Sequence, residues 1–207
     1  MISARTAFEA LREGNRRFVS ELGTAGASHA RRRALPVGQE PLAIILGCSD
    51  ARVPAEIVFD QGLGDLFVIR VAGNIVAPSQ IGSVEFAAEA FHTRLVVVLG
   101  HSNCGAVQAT LQQLARPWQE QSRNLRSIVD RIRPAVQGLL EQGPQRDAQT
   151  LEHLAVRANI RMAADHLRHG SAVLEQLIHQ DGLVVVGAEY SLETGVVDFF
   201  DGVPAAV

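Results

Sequence analysis

Four short runs of apolar, largely β-branched residues punctuate the chain after a more polar beginning: LAIIL at 42–46, LFVIRV at 66–71, LVVVLG at 95–100 and LVVVGA at 183–188. Each is apolar at consecutive rather than alternate positions, as in strands of a parallel sheet covered by helices on both faces. Between them the spacing becomes helical, over 54–61, 79–92, 104–115, 120–142 and 148–180, the last broken near Gly170. Residues Gly195 to Phe200, after the turn-like Glu193-Thr194-Gly195, supply a fifth strand at the edge. Ahead of the first strand, residues 4–20 set Ala7, Phe8, Leu11 and Phe18 near one helical face, so this N-terminal helical arm must dock its stripe on something. Residues 22–41, rich in Gly, Ala, Ser and Pro, read as a loop leading into the first strand. The expectation is an α/β fold: a single open, mostly parallel β-sheet of four strands plus an edge strand, with helices on both faces. No repeat or boundary divides it. Residues 1–207 therefore read as one domain, with 1–38 as arm and lead-in loop, 39–207 as core, and 116–124 and 143–149 as loops within it.

At 207 residues, 47% hydrophobic and 20% charged, the chain can bury a core of its own. Its net charge of -3 gives no bulk attraction to nucleic acid or anionic membrane, and the run Arg31–Arg33 reads as a solvated or partner-facing patch. Every basic residue is Arg, which removes lysine Schiff-base and lysine general-base chemistry. No apolar run approaches the roughly 18 residues of a membrane span. Arg5, Glu9, Arg12, Glu13, Arg16 and Arg17 stand where a secretory signal would be apolar. A cytoplasmic, reducing setting with no membrane is expected, in which Cys48 and Cys104 serve chemistry rather than a disulfide.

In open parallel α/β sheets, ligands bind beyond the carboxyl ends of the strands. The first strand runs into Gly47-Cys48-Ser49-Asp50-Ala51-Arg52 and the third into Gly100-His101-Ser102-Asn103-Cys104-Gly105. Taken singly, each cysteine is a small buried hydrophobe and His101 a helix cap; their joint placement at two strand ends favours a metal. Cys, His and Cys are three ligands, the number in zinc sites that keep a position for water, whereas structural zinc closes with four. Asp50 can take the fourth position itself or accept a hydrogen bond from metal-bound water. Arg52, by a bidentate grip on Asp50, would leave the metal open.

Cys48-x-Asp50-x-Arg52 followed by His101-x-x-Cys104-Gly105 resembles the signature of the β-class carbonic anhydrases, in their plant-like, open-site branch. The likeness extends through VPAEIVFDQGLGDLFVIRVAGN (53–74), EALREGNRRFVS near the start and GAEYSLETGVV near the end. The resemblance implies reversible hydration of carbon dioxide to bicarbonate and a proton by zinc-bound hydroxide, with one Zn2+ per chain on Cys48, His101 and Cys104. Asp50 and Arg52 become the catalytic dyad, Asp50 being a metal ligand in the closed form only. Gln39 matches a glutamine that hydrogen-bonds the substrate, Phe67 and Phe86 match aromatics lining the CO2 pocket, and Gly105 joins them as a substrate-binding residue beside Cys104. The resemblance further implies a homo-oligomer, dimer or tetramer, with its active site near a subunit interface and the N-terminal helix gripping the partner.

In another branch of the family an inhibitory bicarbonate site uses Trp, Arg and Tyr. Arg70 and Tyr190 fit the last two positions, but Ile45 stands where the Trp would be, which argues against allosteric inhibition by bicarbonate. Two thiolates offset the charge of Zn2+, so activity is expected to rise toward alkaline pH. His29, His92, His153, His166, His169 and His179 are candidates for exporting the proton. Two alternatives remain: a hydrolase of CS2 or COS on the same scaffold, and a non-catalytic zinc module closed by Asp50.

Overall fold

The computed structural model describes residues 2–23, 32–33, 35–115, 122–141 and 147–204. His29, Arg31 and parts of the expected loops at 22–41, 116–124 and 143–149 lie outside the described residues. The strands are β1 (Ala43–Gly47), β2 (Leu66–Arg70), β3 (Leu95–His101), β4 (Val184–Tyr190) and β5 (Val197–Asp201). The helices are α1 (Ala4–Val19), α2 (Ala55–Val58), α3 (Pro78–Ala90), α4 (Gly105–Ala115), α5 (Arg123–Glu141), α6 (Ala148–His169) and α7 (Ala172–Gln180), with a 3₁₀ turn at Ala72–Asn74.

The sheet order is β2-β1-β3-β4-β5, the first four strands parallel and β5 antiparallel to β4. The expected α/β architecture is therefore the one observed. β1 and β3 are buried along their whole length, which is why their apolar residues run consecutively. Alternate side chains go to opposite faces. Ile44, Leu46, Val96 and Val98 meet Val84 of α3, Val107 of α4, Ile132 of α5, Ile160 of α6 and Leu174 of α7. Ile45, Val97, Leu99 and Val186 meet Phe8 and Leu11 of α1 and Val58 of α2. Each large aliphatic side chain so buried contributes about 1.5–3 kcal/mol.

The N-terminal helix begins at Ser3, whose hydroxyl accepts the Thr6 N–H, and lays its apolar stripe on its own sheet. Its outer, charged face is what remains for any partner. One expected helix differs from that observed, and another breaks where expected. The stretch 54–61 keeps only the single turn of α2, because Asp60 takes φ 47 and turns the chain out of the helix. The stretch 148–180 divides at Gly170, and Ser171 caps the new start by accepting the Leu174 N–H. Among the described residues no helix is long and apolar enough to cross a membrane.

Candidate metal centre

Because β1 and β3 are parallel neighbours, with Gly47 level with Leu99, both deliver their following residues to the same edge. Cys48 follows β1 directly, His101 ends β3, and Cys104 precedes α4 after Asn103 reverses the chain at φ 56. The 101–104 turn is pinned to the end of β4: Ser102 N–H donates to Tyr190 O at 3.0 Å, and Ser102 Oγ accepts Leu192 N–H at 3.0 Å. Cys48, His101 and Cys104 are all buried, and their ligand atoms lie within 4.8 Å of one another. Among the described residues they are the one group of three such side chains.

The donor set fits a soft-to-borderline cation such as zinc. His101 Nδ1 lies 2.8 Å from Ser102 O, which assigns the ring proton to Nδ1 and leaves the Nε2 lone pair for a ligand. Nε2 is buried and has no hydrogen-bond partner, a condition that is unfavourable unless something binds there. Cys48 Sγ accepts the Gly73 N–H at 3.4 Å. Hydrogen bonding to Cys104 pulls the Cys48 thiol down to about 4, while the adjacent Cys48 thiolate and burial push Cys104 up. The two sulfurs thus share one proton and one negative charge, and a bound cation would displace the proton. Burial opposes charge on His101, but the adjacent Cys48 sulfur and the Ser102 carbonyl move its pKa up.

Asp50 is held by three hydrogen bonds from Arg52: Nε to Oδ1 at 2.9 Å, Nη2 to Oδ2 at 2.7 Å and the backbone N–H to Oδ1 at 3.0 Å. These keep its carboxyl well below the usual carboxylate range, hence ionised. Its Oδ2 stands 3.9 Å from His101 Nε2, close to the ligand cluster but turned to Arg52. Arg70, at the end of β2, donates Nε to Cys48 O at 3.1 Å and Nη2 to Asp50 O at 2.6 Å. Ile45 and Tyr190 belong to the core on the α1 side of the sheet. Gly105 heads α4 beside Cys104, and a Cβ there would meet nothing within 4 Å.

Gln39, Phe67 and Phe86 are not brought to this cluster within one chain. Phe67 is level with Ile44 and Gln39 precedes β1, whereas the cluster lies beyond Gly47. Ile44 to Cys48 is four residues of extended chain, about 13 Å at roughly 3.3 Å per residue, and Gln39 lies farther back still. The three residues are instead gathered at the β2 edge. Phe67 packs on Phe86 and Phe91 with ring centroids 6.2 and 6.0 Å apart, and Phe91 and Gln39 line one cavity of about 340 Å³. Of the candidate proton carriers, His153 pairs with Glu189 at 3.4 Å and His169 with Asp165 at 3.5 Å, while His92 is exposed. The parts played by Gly73 and Arg70 escape sequence reasoning; the Gly-Asn dipeptide after β2 signals a turn but not the sulfur that the turn faces.

A family model described as carbonic anhydrase matches residues 43–197. Carbonic anhydrase 2 of Mycobacterium tuberculosis is 38% identical over 191 residues, spanning 91% of this chain and 89% of that protein. The carbonic anhydrase of Mycolicibacterium smegmatis is 38% identical over 195 residues, 93% of this chain and 91% of that one. Among solved structures, the β-carbonic anhydrase CafA of Aspergillus fumigatus is similar with a TM-score of 0.75 at 23% identity, covering 96% and 92% of the two chains. The β-carbonic anhydrase CcaA gives 0.72 at 26% identity, covering 94% and 95%. The chain belongs to the carbonic anhydrase family, with the fold of its β-class structures.

Proposed function

We propose that the chain catalyses the reversible hydration of carbon dioxide to bicarbonate and a proton, with one zinc ion held by Cys48, His101 and Cys104. The observation that carries this reading is a buried N,S,S ligand set whose neighbouring carboxylate is tied back by Arg52. Three protein ligands with a free fourth position make a catalytic rather than a structural zinc site. Zinc there supplies a Lewis acid that makes hydroxide available near neutral pH.

The chain's own residues do the rest. Asp50, ionised on Arg52, would accept a hydrogen bond from the attacking hydroxide and so turn that oxygen's lone pair toward carbon dioxide. Burial of the cluster limits competing water. The closed, non-catalytic alternative needs Asp50 on the metal, and the three Arg52 hydrogen bonds oppose that.

A second copy completes the site in this reading. Gln39, Phe67 and Phe86 form a single patch at the sheet edge, suited to face the cluster of a neighbouring subunit. A structure 22% identical to this chain comes from a description of two tetrameric β-carbonic anhydrases of Sordaria macrospora, which fits a homo-oligomer. Residues 1–207 act as one domain, supported by α1 packing on the core's own sheet. Two free cysteines, both in the cluster, suit a reducing cytoplasm.

Stopped-flow hydration between about pH 6.5 and 9 tests the proposal, since that range brackets ionisation of a zinc-bound water. Activity should rise with pH and disappear in Asp50→Ala and Cys104→Ser, with zinc kept by the first and lost by the second. Full zinc occupancy with no hydration at any pH overturns it, and CS2 becomes the next substrate to assay.

A further inference from the structure

The 48–50 loop leaves the sheet level with the end of β2, where Gly47 pairs with Arg70 and Val71 N–H donates to Gly47 O at 3.1 Å. From there it curls over the Arg70 guanidinium. Two carbonyls two residues apart, Cys48 O and Asp50 O, accept from two different nitrogens of one planar fork. Asp50 O also accepts Val53 N–H at 3.0 Å, so both of its lone pairs are used. With these carbonyls held on Arg70, the Cys48 thiol joins the ligand cluster, and the Asp50 carboxylate lies 3.9 Å from His101 Nε2. That short separation makes the Arg52-held position and the fourth ligand position alternatives for the Asp50 carboxylate. Arg52 holds the carboxylate through three hydrogen bonds but does not grip the carbonyls of the loop that carries it. The backbone grip supplies the missing restraint.

We infer that Arg70 is a positioning residue: by gripping the carbonyls of Cys48 and Asp50 it keeps Asp50 on Arg52 and out of the fourth ligand position. Lysine cannot reproduce this, since an ammonium is a single compact donor centre where the site requires a fork. The inference rests on the metal-site reading above, and its test separates the two.

The test uses the cobalt-substituted protein, whose visible spectrum reports the metal's ligands, titrated with azide as a probe of the free position. Wild-type protein should bind one cobalt per chain and change its spectrum on azide binding; if it does neither, the metal-site reading fails before Arg70 is tested. In Arg70→Gln, cobalt should stay stoichiometric while azide binds about tenfold or more weakly, the scale of loss when a residue orienting a metal ligand is removed. Removing the closing carboxylate as well, in Arg70→Gln/Asp50→Ala, should restore azide binding to the level of Asp50→Ala alone. Arg70→Lys, which keeps the charge but not the fork, should resemble Arg70→Gln and carries the same comparison if that variant does not fold. Wild-type azide affinity in Arg70→Gln or Arg70→Lys overturns the inference. So does a double variant as weak as Arg70→Gln, or loss of cobalt from a folded Arg70→Gln.

Discussion

Gly73 does two things that no other residue could do in its place. At φ 67 it occupies the left-handed region, and a Cβ on it would lie 2.8 Å from Ile132 Cδ1 and 3.0 Å from Ala106 Cβ. Ile132 is wholly buried and cannot retreat cheaply. In that conformation its N–H reaches Cys48 Sγ, while its carbonyl accepts from Asn159 Nδ2 at 2.8 Å. Gly73→Ala is expected to destabilise the metal-free protein by about 1–3 kcal/mol, the combined scale of a strained φ and an overpacked contact. It should also weaken zinc about 10-fold or more by moving a hydrogen bond that orients a ligand. Urea unfolding and chelator competition measure the two effects separately, and unchanged zinc affinity in the folded variant would remove the N–H from this role. Asp50 gives a pH-dependent counterpart. Its folded pKa is depressed, so the stability it contributes is complete above the unfolded value of about 3.9 and is lost as pH falls toward the folded one. The urea midpoint of the metal-free wild type should therefore exceed that of Asp50→Asn by a constant amount above about pH 5. Below that pH the gap should narrow, and a gap that widens there would contradict the Arg52 pairing.

Helix α1 is joined to the sheet by more than its apolar stripe. Asn15, buried in its last turns, donates to Val58 O at 3.1 Å and Gly195 O at 2.9 Å and accepts Val197 N–H at 2.9 Å. One amide thus ties α1 to α2 and to the start of β5. Asn15→Ala strands three backbone groups, and about 2–4 kcal/mol of stability should be lost, since each unsatisfied buried group costs roughly 1–3 kcal/mol and such losses do not simply add. Zinc stoichiometry should not change, because every ligand comes from β1, β3 and the turn before α4. Thermal unfolding beside metal analysis tests this, and loss of metal from the folded variant would refute the separation. What could be read from the chain follows the same division. Continuous β-branched runs betray buried parallel strands, and strand ends carrying Cys48, His101 and Cys104 betray the cluster, because both signals are local. The docking of α1 through Asn15 and the grip of Arg70 on a backbone 20 residues away depend on which strands pair and in what register. Helix α2 was over-extended in the expected 54–61 because eight residues of apolar spacing carry too little period to reveal the turn at Asp60.

The ligand cluster is complete in one chain, yet of the residues matched to substrate binding only Gly105 is beside it, while Gln39, Phe67 and Phe86 are not, and the site's activity should therefore depend on assembly. Phe86 is 56% exposed on an aromatic group with Phe67 and Phe91, at the unpaired edge of β2. Clustered exposed apolar surface of this kind marks a contact with another protein surface. A charge placed there, Phe86→Glu, should weaken the oligomer without disturbing the cluster, because Phe86 lies outside the buried core of α3. Sedimentation should then show a smaller species on dilution, with hydration activity per zinc falling in step and zinc per chain unchanged. Wild-type protein, with that edge unmodified, should keep its specific activity over the same dilution. A variant that is monomeric and fully active would mean that the site is whole within one chain, and that Gln39, Phe67 and Phe86 act only in packing. Activity that returns as the variant is concentrated would place the missing contribution on the neighbouring subunit.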